Sequence, residues 1–359
     1  MDNSPRNPDT DLTKGREKLW QKVLRTLGIT LGALLILLLI GYAFEVLLLI
    51  FAAVLIAVFF RGTAEVVSRS TGLSSGWSLT FVLAGILTLM ALTTWLLASR
   101  ISEQVVLLSE EFPRAVAHFR DRFGHTEWGN RLSEETPTVS GILANEEGWL
   151  KRSLGVLSTT LGVIADIYII LFLTIFITAQ PFVYRKGIVL LFPLAKRSRA
   201  EEVLDTLGDT LYKWLLGKLF SMLVVGIFTT IGLSLLGIPL ELVLGLIAGL
   251  LSFIPNFGPI LGLVPAVMVA LLEGPYQALY VIMLYVGIQI VESNLITPLV
   301  QRRMIAIPPA LIIIAQLLLG IFSGTLGLIL ATPVIAVVMV LVKMLYIHDT
   351  LGDTSIMED

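Results

Sequence analysis

The chain has 359 residues, 56% of them hydrophobic and only 14% charged, with a formal net charge of −2 and no cysteine. Soluble domains carry about a quarter charged residues, so this composition excludes an ordinary soluble enzyme, a disordered chain and, with so little net charge, a nucleic-acid binder. The lack of cysteine excludes disulfides, thiolate metal sites and cysteine nucleophiles. The three histidines, His118, His125 and His348, form no HExxH motif, so neither metal nor other cofactor is expected.

Residues 1–26 are polar and carry Lys14, Arg16, Lys18, Lys22 and Arg25, a basic flank that predicts a cytoplasmic segment. The apolar stretch 27–60 is too long for the core of a secretory leader. It reads as two spans, 27–44 and 46–60, turning outside at Glu45, with Arg61 and Arg69 inside. A third span, 77–99, has Trp77 and Trp95 near its ends, so residues 27–99 hold the first three spans. Residues 100–153 are acidic and suit the outside. Within them Ile101, Val105, Leu108, Phe112, Val116, Phe119 and Phe123 recur at helical steps. Pro113 is expected to kink that helix, and either the membrane surface or a neighbouring subunit would satisfy its stripe. The fourth span is 154–179, ended by Gln180 and Pro181. Residues 180–215 carry Arg185, Lys186, Lys196, Arg197 and Arg199 and are expected inside, with an amphipathic helix marked by Val203, Leu207, Leu211 and Trp214.

Residues 216–345 read as a transport core. A fifth span covers 216–236. The apolar run 242–254 is about 20 Å long as a helix, too short to cross a bilayer core of about 30 Å. It meets Pro255-Asn256-Phe257-Gly258-Pro259, and a second short run ends at Leu272. Two short helices around such a break predict a re-entrant hairpin. Span 276–299 follows, with Gln301, Arg302 and Arg303 inside. The runs 309–321 and 326–345 flank Phe322-Ser323-Gly324-Thr325 and predict a second broken hairpin, before a cytoplasmic tail at 346–359. The expected fold is all-α, a polytopic integral membrane protein with about six full spans plus two re-entrant or broken helical hairpins, both termini cytoplasmic. A span and hairpin repeated in opposite orientation is the plan of many secondary transporters.

Polar residues in hydrocarbon need a reason, since an unpaired charge costs at least ~2.5 kcal/mol there. Gln289 and Glu292 share a helix face, with Asn294 offset. They predict a polar surface for a substrate or coupling cation, or a carboxylate that snorkels toward or pairs with Arg302 or Arg303. At the first hairpin tip, Pro255 disfavours helix at Ile254, Gly258 permits close backbone approach and Pro259 suits a first helical position. The helix ends gathered with Asn256 can bind ions, or form a plain turn capped by Asn256. Ser323, Gly324 and Thr325 read the same way. Asp166, in the fourth span, either takes a proton or sodium ion or is silently paired. The small residues in 245–252 and 320–327 allow close helix packing. There is no GxxxxGK[ST], so ATP is not the energy source. No GxGD, serine–base pair or HExxH supports an intramembrane protease, and the chain is expected not to be an enzyme.

The runs LLSFIPNFGPILGLVPA (250–266), QIVESNLITPLVQRR (289–303) and GIFSGTLGLILATPV (320–334) resemble the autoinducer-2 exporter (AI-2E) family of bacterial membrane transporters. The resemblance implies a homo-oligomeric multi-pass protein of the bacterial inner membrane, exporting a small autoinducer-2-like solute or exchanging sodium or lithium for protons. Its partners would be the lipid bilayer and a small polar solute or monovalent cation, not nucleic acid. The chain departs from the family pattern at Ile177-Thr178-Ala179-Gln180-Pro181 and at Leu216-Gly217-Lys218. A different class, an envelope assembly partner acting through the segment 100–153, stays open at this stage.

Overall fold

A computed structural model describes residues 44–123, 149–296, 298 and 307–353. Among them every regular element is helical. The predicted first span 27–44, the stretch 124–148, and Arg302 and Arg303 lie outside the described residues, Phe44 apart. Helix α1 is Phe44–Thr71, α2 Ser75–Phe123, α3 Trp149–Ala179, α4 Pro181–Leu190, α5 Arg197–Leu235, α6 Glu241–Leu251, α7 Phe257–Glu273, α8 Pro275–Val291 and α9 Pro309–Leu341. Two π-helical stretches extend α8 over Glu292–Ile296 and α9 over Val342–His348. Six stretches are long and apolar enough to cross a membrane, which makes this a polytopic all-α membrane protein.

Three boundaries differ from expectation for identifiable reasons. Helix α1 runs past residue 60 because its bases are accommodated on the helix. Arg69 pairs with Glu65 one turn back at 2.6 Å, and Arg61 donates to the carbonyls of Thr178 and Ala179 at 2.7 and 3.1 Å. Those carbonyls are the orphan acceptors at the C-terminus of α3, where a cation is favoured. The third span and the outer amphipathic helix form one rod, α2, of 49 residues, roughly 74 Å long. No glycine or proline interrupts residues 86–112, and Pro113 does not end the helix. The amphipathic helix expected after residue 200 is likewise continuous with the fifth span in α5.

Both breaks in the C-terminal half are true reversals. An α-helix advances about 12 Å over eight residues. A methyl group built on Gly327 would nonetheless overlap the carbonyl of Leu319, eight residues earlier, and stand 3.2 Å from the Gly320 nitrogen. Helix α9 therefore folds back at Ser323 and Gly324, whose backbone leaves the helical region (Gly324 φ 54°, ψ −133°). In the first hairpin a methyl group on Gly258 would overlap the Leu251 carbonyl and lie 2.9 Å from the Ser252 Cα. In each hairpin a glycine of the returning arm sits against a carbonyl of the entering arm, so the arms touch backbone to backbone.

Helix α5 is the spine. Its glycine-faced surface packs on α6, where Gly226 meets Gly245 and Gly249, the close packing that the small residues of 245–252 predict. Farther along, Val225 and Leu233 join Leu244, Ala248, Ala266, Val269, Val281 and Tyr285 in one core. Nearer its start, Leu211, Trp214 and Leu215 join Leu48, Ala52 and Leu55 of α1 and Leu330 of α9 in another. Gly217, Lys218 and Ser221 fall between the two cores, and there the packing opens.

Candidate functional site

That opening is a cavity of about 330 Å³ bounded by α5, the tip of the α6–α7 hairpin, the end of α8 and both arms of α9. Its charged centre is a pair. Glu292 is buried where α8 widens into its π-helical turn, and its Oε1 accepts a 2.5 Å hydrogen bond from the Ser221 hydroxyl. The Lys218 ammonium stands 3.8 Å from the same oxygen. Only 13% of the Lys218 side chain and 9% of that of Glu292 are exposed. Either ion alone would be costly at such a site, and together they compensate. At 3.8 Å the pair is too long for a direct hydrogen bond, so the ammonium retains donor capacity toward the cavity.

The hairpin tip forms the next wall. Asn256 adopts φ 66°, ψ −47°, and the Phe257 N–H bonds the Pro255 carbonyl at 2.8 Å. These are the marks of a classic γ-turn, a rare and strained conformation. Gln316 of α9 holds the turn from the other hairpin. Fully buried, it donates from Nε2 to the Pro255 carbonyl at 2.8 Å and accepts from Asn256 Nδ2 at 3.3 Å. One amide thus satisfies backbone and side chain of the opposite hairpin.

Five of the sequence-predicted residues meet here: Pro255, Asn256, Pro259, Gln289 and Glu292 all line the cavity. Gln289 also donates to the Ser293 hydroxyl at 3.2 Å. The rest lie elsewhere. Gly258 is buried in the contact between α6 and α7. Asn294 is exposed and donates to its own helix at the Ile290 carbonyl, 2.9 Å. Ser323, Gly324 and Thr325 form the second tip without lining the cavity, and the Ser323 hydroxyl is buried without a partner. Asp166 is half-buried on α3, away from this site. The cation that faces Glu292 among the described residues is Lys218.

Lys218 and Ser221 are site residues that spacing does not single out; Gln316 reads from the sequence only as a polar side chain facing an unknown partner, and Thr332-Pro333 only as a helix kink that frees a carbonyl. A signal existed for two: Lys218 is the only charged residue of 216–236, and Gln316 the only strongly polar side chain of 309–321. A second cavity of about 340 Å³ lies between α1 and α5. Its acids are already matched, Glu65 with Arg69, Asp205 with Arg185 and Asp209 with Lys213. No group of three or more metal-ligating side chains occurs among the described residues.

A family model described as "AI-2E family transporter" matches residues 27–347. Among curated proteins, the chain is 30% identical over 186 residues to "Putative transport protein YueF" of Bacillus subtilis (strain 168), covering 51% of this chain and 50% of that one. It is 27% identical over 177 residues to "Putative transport protein YrrI" of the same organism, 49% of each. The chain thus spans about half the length of the curated relatives it matches.

Proposed function

The chain belongs to the AI-2E transporter family, and we propose that its cavity between two helical hairpins is the site through which a small polar solute crosses the membrane without ATP. The observation that carries this reading is the buried Lys218–Glu292–Ser221 group opening onto a 330 Å³ space where broken helices converge. Broken helices bring unpaired backbone groups to mid-membrane depth only where protein or a water-filled cavity can satisfy them. On this reading both hairpins dip partway into the bilayer. The bases at Arg61, Arg185–Arg199 and Arg302–Arg303 in the sequence support a bacterial inner-membrane topology with both termini in the cytoplasm.

An autoinducer-2-like furanone is the candidate cargo that the family name suggests. A second reading, sodium or lithium exchange for protons, is favoured by one observation: Glu292 is a buried carboxylate whose partner cation stands beyond hydrogen-bond distance. The purified protein in liposomes separates the two. Uptake of labelled furanone without cation-dependent proton movement supports solute transport. Sodium-dependent proton flux without furanone movement supports exchange. Neither flux, with the protein folded and inserted, refutes both.

A further inference from the structure

The cavity carries charge of both signs on two scales. Lys218 and Glu292 supply one full positive and one full negative charge. Three helix ends add to them. The N-termini of α7 and α9 reach the cavity at Asn256 and Pro259 and at Pro309 and Ile312, and the C-terminus of α6 reaches it at Ser252. Each end carries roughly half an elementary charge, two positive and one negative.

We infer that this is a site for a small zwitterion, a net-neutral solute of the α-amino acid class whose carboxylate faces Lys218 and whose ammonium faces Glu292. The inference rests on the transport reading above, though not on the furanone as cargo. A solute with a net charge would break the internal pair and leave one buried ion uncompensated, the costly case. A zwitterion replaces one internal pair with two external ones and leaves neither ion alone. At 3.8 Å the two ions share no direct hydrogen bond, so a solute need break none to meet them. Thr332, 5% exposed, also lines the cavity, and its hydroxyl oxygen is buried with no hydrogen-bond partner.

The test measures binding to the full chain in lipid nanodiscs by titration calorimetry, with four probes of similar size: L-serine, lactate, ethanolamine and glycerol. The expected order puts serine about tenfold or more ahead of the other three, the worth of one charge-assisted hydrogen bond. Equal binding of glycerol and serine, or a preference for lactate or ethanolamine, overturns the inference. Single-charge variants give an independent readout. Lys218→Met should turn the preference toward ethanolamine, and Glu292→Gln toward lactate, a reversal that misfolding cannot produce. Uniform loss across all probes in both variants, with the proteins folded, also overturns it. Furanone flux in liposomes separates the two levels. Furanone moved while serine neither binds nor crosses refutes the zwitterion site and leaves transport standing. No flux of any probe refutes the transport reading, and the inference falls with it.

Discussion

Replacing Gly258 by alanine tests the hairpin directly. The added methyl carbon would stand 2.6 Å from the Leu251 carbonyl carbon and 2.9 Å from the Ser252 Cα, where ordinary contact begins at 3.4 Å. The arms must therefore part by ~0.8 Å or more, and because the obstructing atoms are backbone no rotamer change relieves them. Overpacking of this kind costs about 1–3 kcal/mol, with the upper end expected here. The strain falls two residues from Asn256, so the Gln316 bond to the Pro255 carbonyl should loosen as well. Gly287→Ala on α8 is the control. No atom lies within 4 Å of its added methyl, and alanine gains up to about 1 kcal/mol of helix propensity over glycine. Thermal unfolding in detergent and solute flux in liposomes are the two measurements. Gly258→Ala should lower the midpoint and abolish most flux while Gly287→Ala holds or raises the midpoint. If the two variants melt and transport alike, the arms of α6 and α7 are not in backbone contact and the tip described here is wrong.

Gln316→Leu should destabilise by about 1 kcal/mol or more, since it leaves the partly buried Pro255 carbonyl and the Asn256 amide without their partner; chemical denaturation of the purified protein reads this. Lys218→Met and Glu292→Gln should be non-additive: leaving a buried ion unpaired costs about 3–5 kcal/mol, and the double variant should recover much of what Lys218→Met loses. A double-mutant cycle on the unfolding midpoint checks it, and simple additivity would deny the pairing. At the far end of α9, hydrogen bonds from His348 and then Arg199 hold the Asp349 carboxyl below its ordinary range. A depressed folded pKa stabilises above the unfolded value of about 3.9 and is lost as pH falls through the lower, folded value. Asp349→Asn should therefore flatten the acid limb of the melting profile below about pH 4 and lower the midpoint at neutral pH.

The hairpins were legible because lipid leaves few ways to place a short apolar helix. Thirteen apolar residues cannot cross, and Pro255 with Gly258 marks where the chain turns. Glu292 and Gln289 were legible for a related reason, as polar groups on one face of an apolar helix. Their partners were harder to read. Lys218 and Ser221 lie more than 70 positions from Glu292, and no periodicity within α5 ties them to it; only the gap between its two packed cores brings them to the cavity. Polarity alone does not assign a residue to the cavity. Asn294, two residues past Glu292, turns outward and bonds its own helix, and the second tip lies off the cavity although it resembles the first in composition. Loss of hydropathy after residue 99 ends a span but does not end a helix, which is why the sequence does not show that the third span and the stripe after it form one rod, Ser75–Phe123.

The position of Gln316 ties these features into one argument about movement. A chain that breaks a helix away from water must satisfy the groups it frees, and here the first hairpin's freed carbonyl is satisfied by a side chain of the second. Shifting one hairpin past the other breaks that bond. Once it opens, the Pro255 carbonyl is left at the edge of the cavity, at a cost of about 1–3 kcal/mol if nothing replaces the amide. Water or a solute entering the same cavity is the replacement within reach. On the transport reading proposed above, occupancy and hairpin displacement would be coupled through this one buried amide. That coupling would give an ATP-independent carrier what it requires: a path that opens more readily when the site is filled than when it is empty.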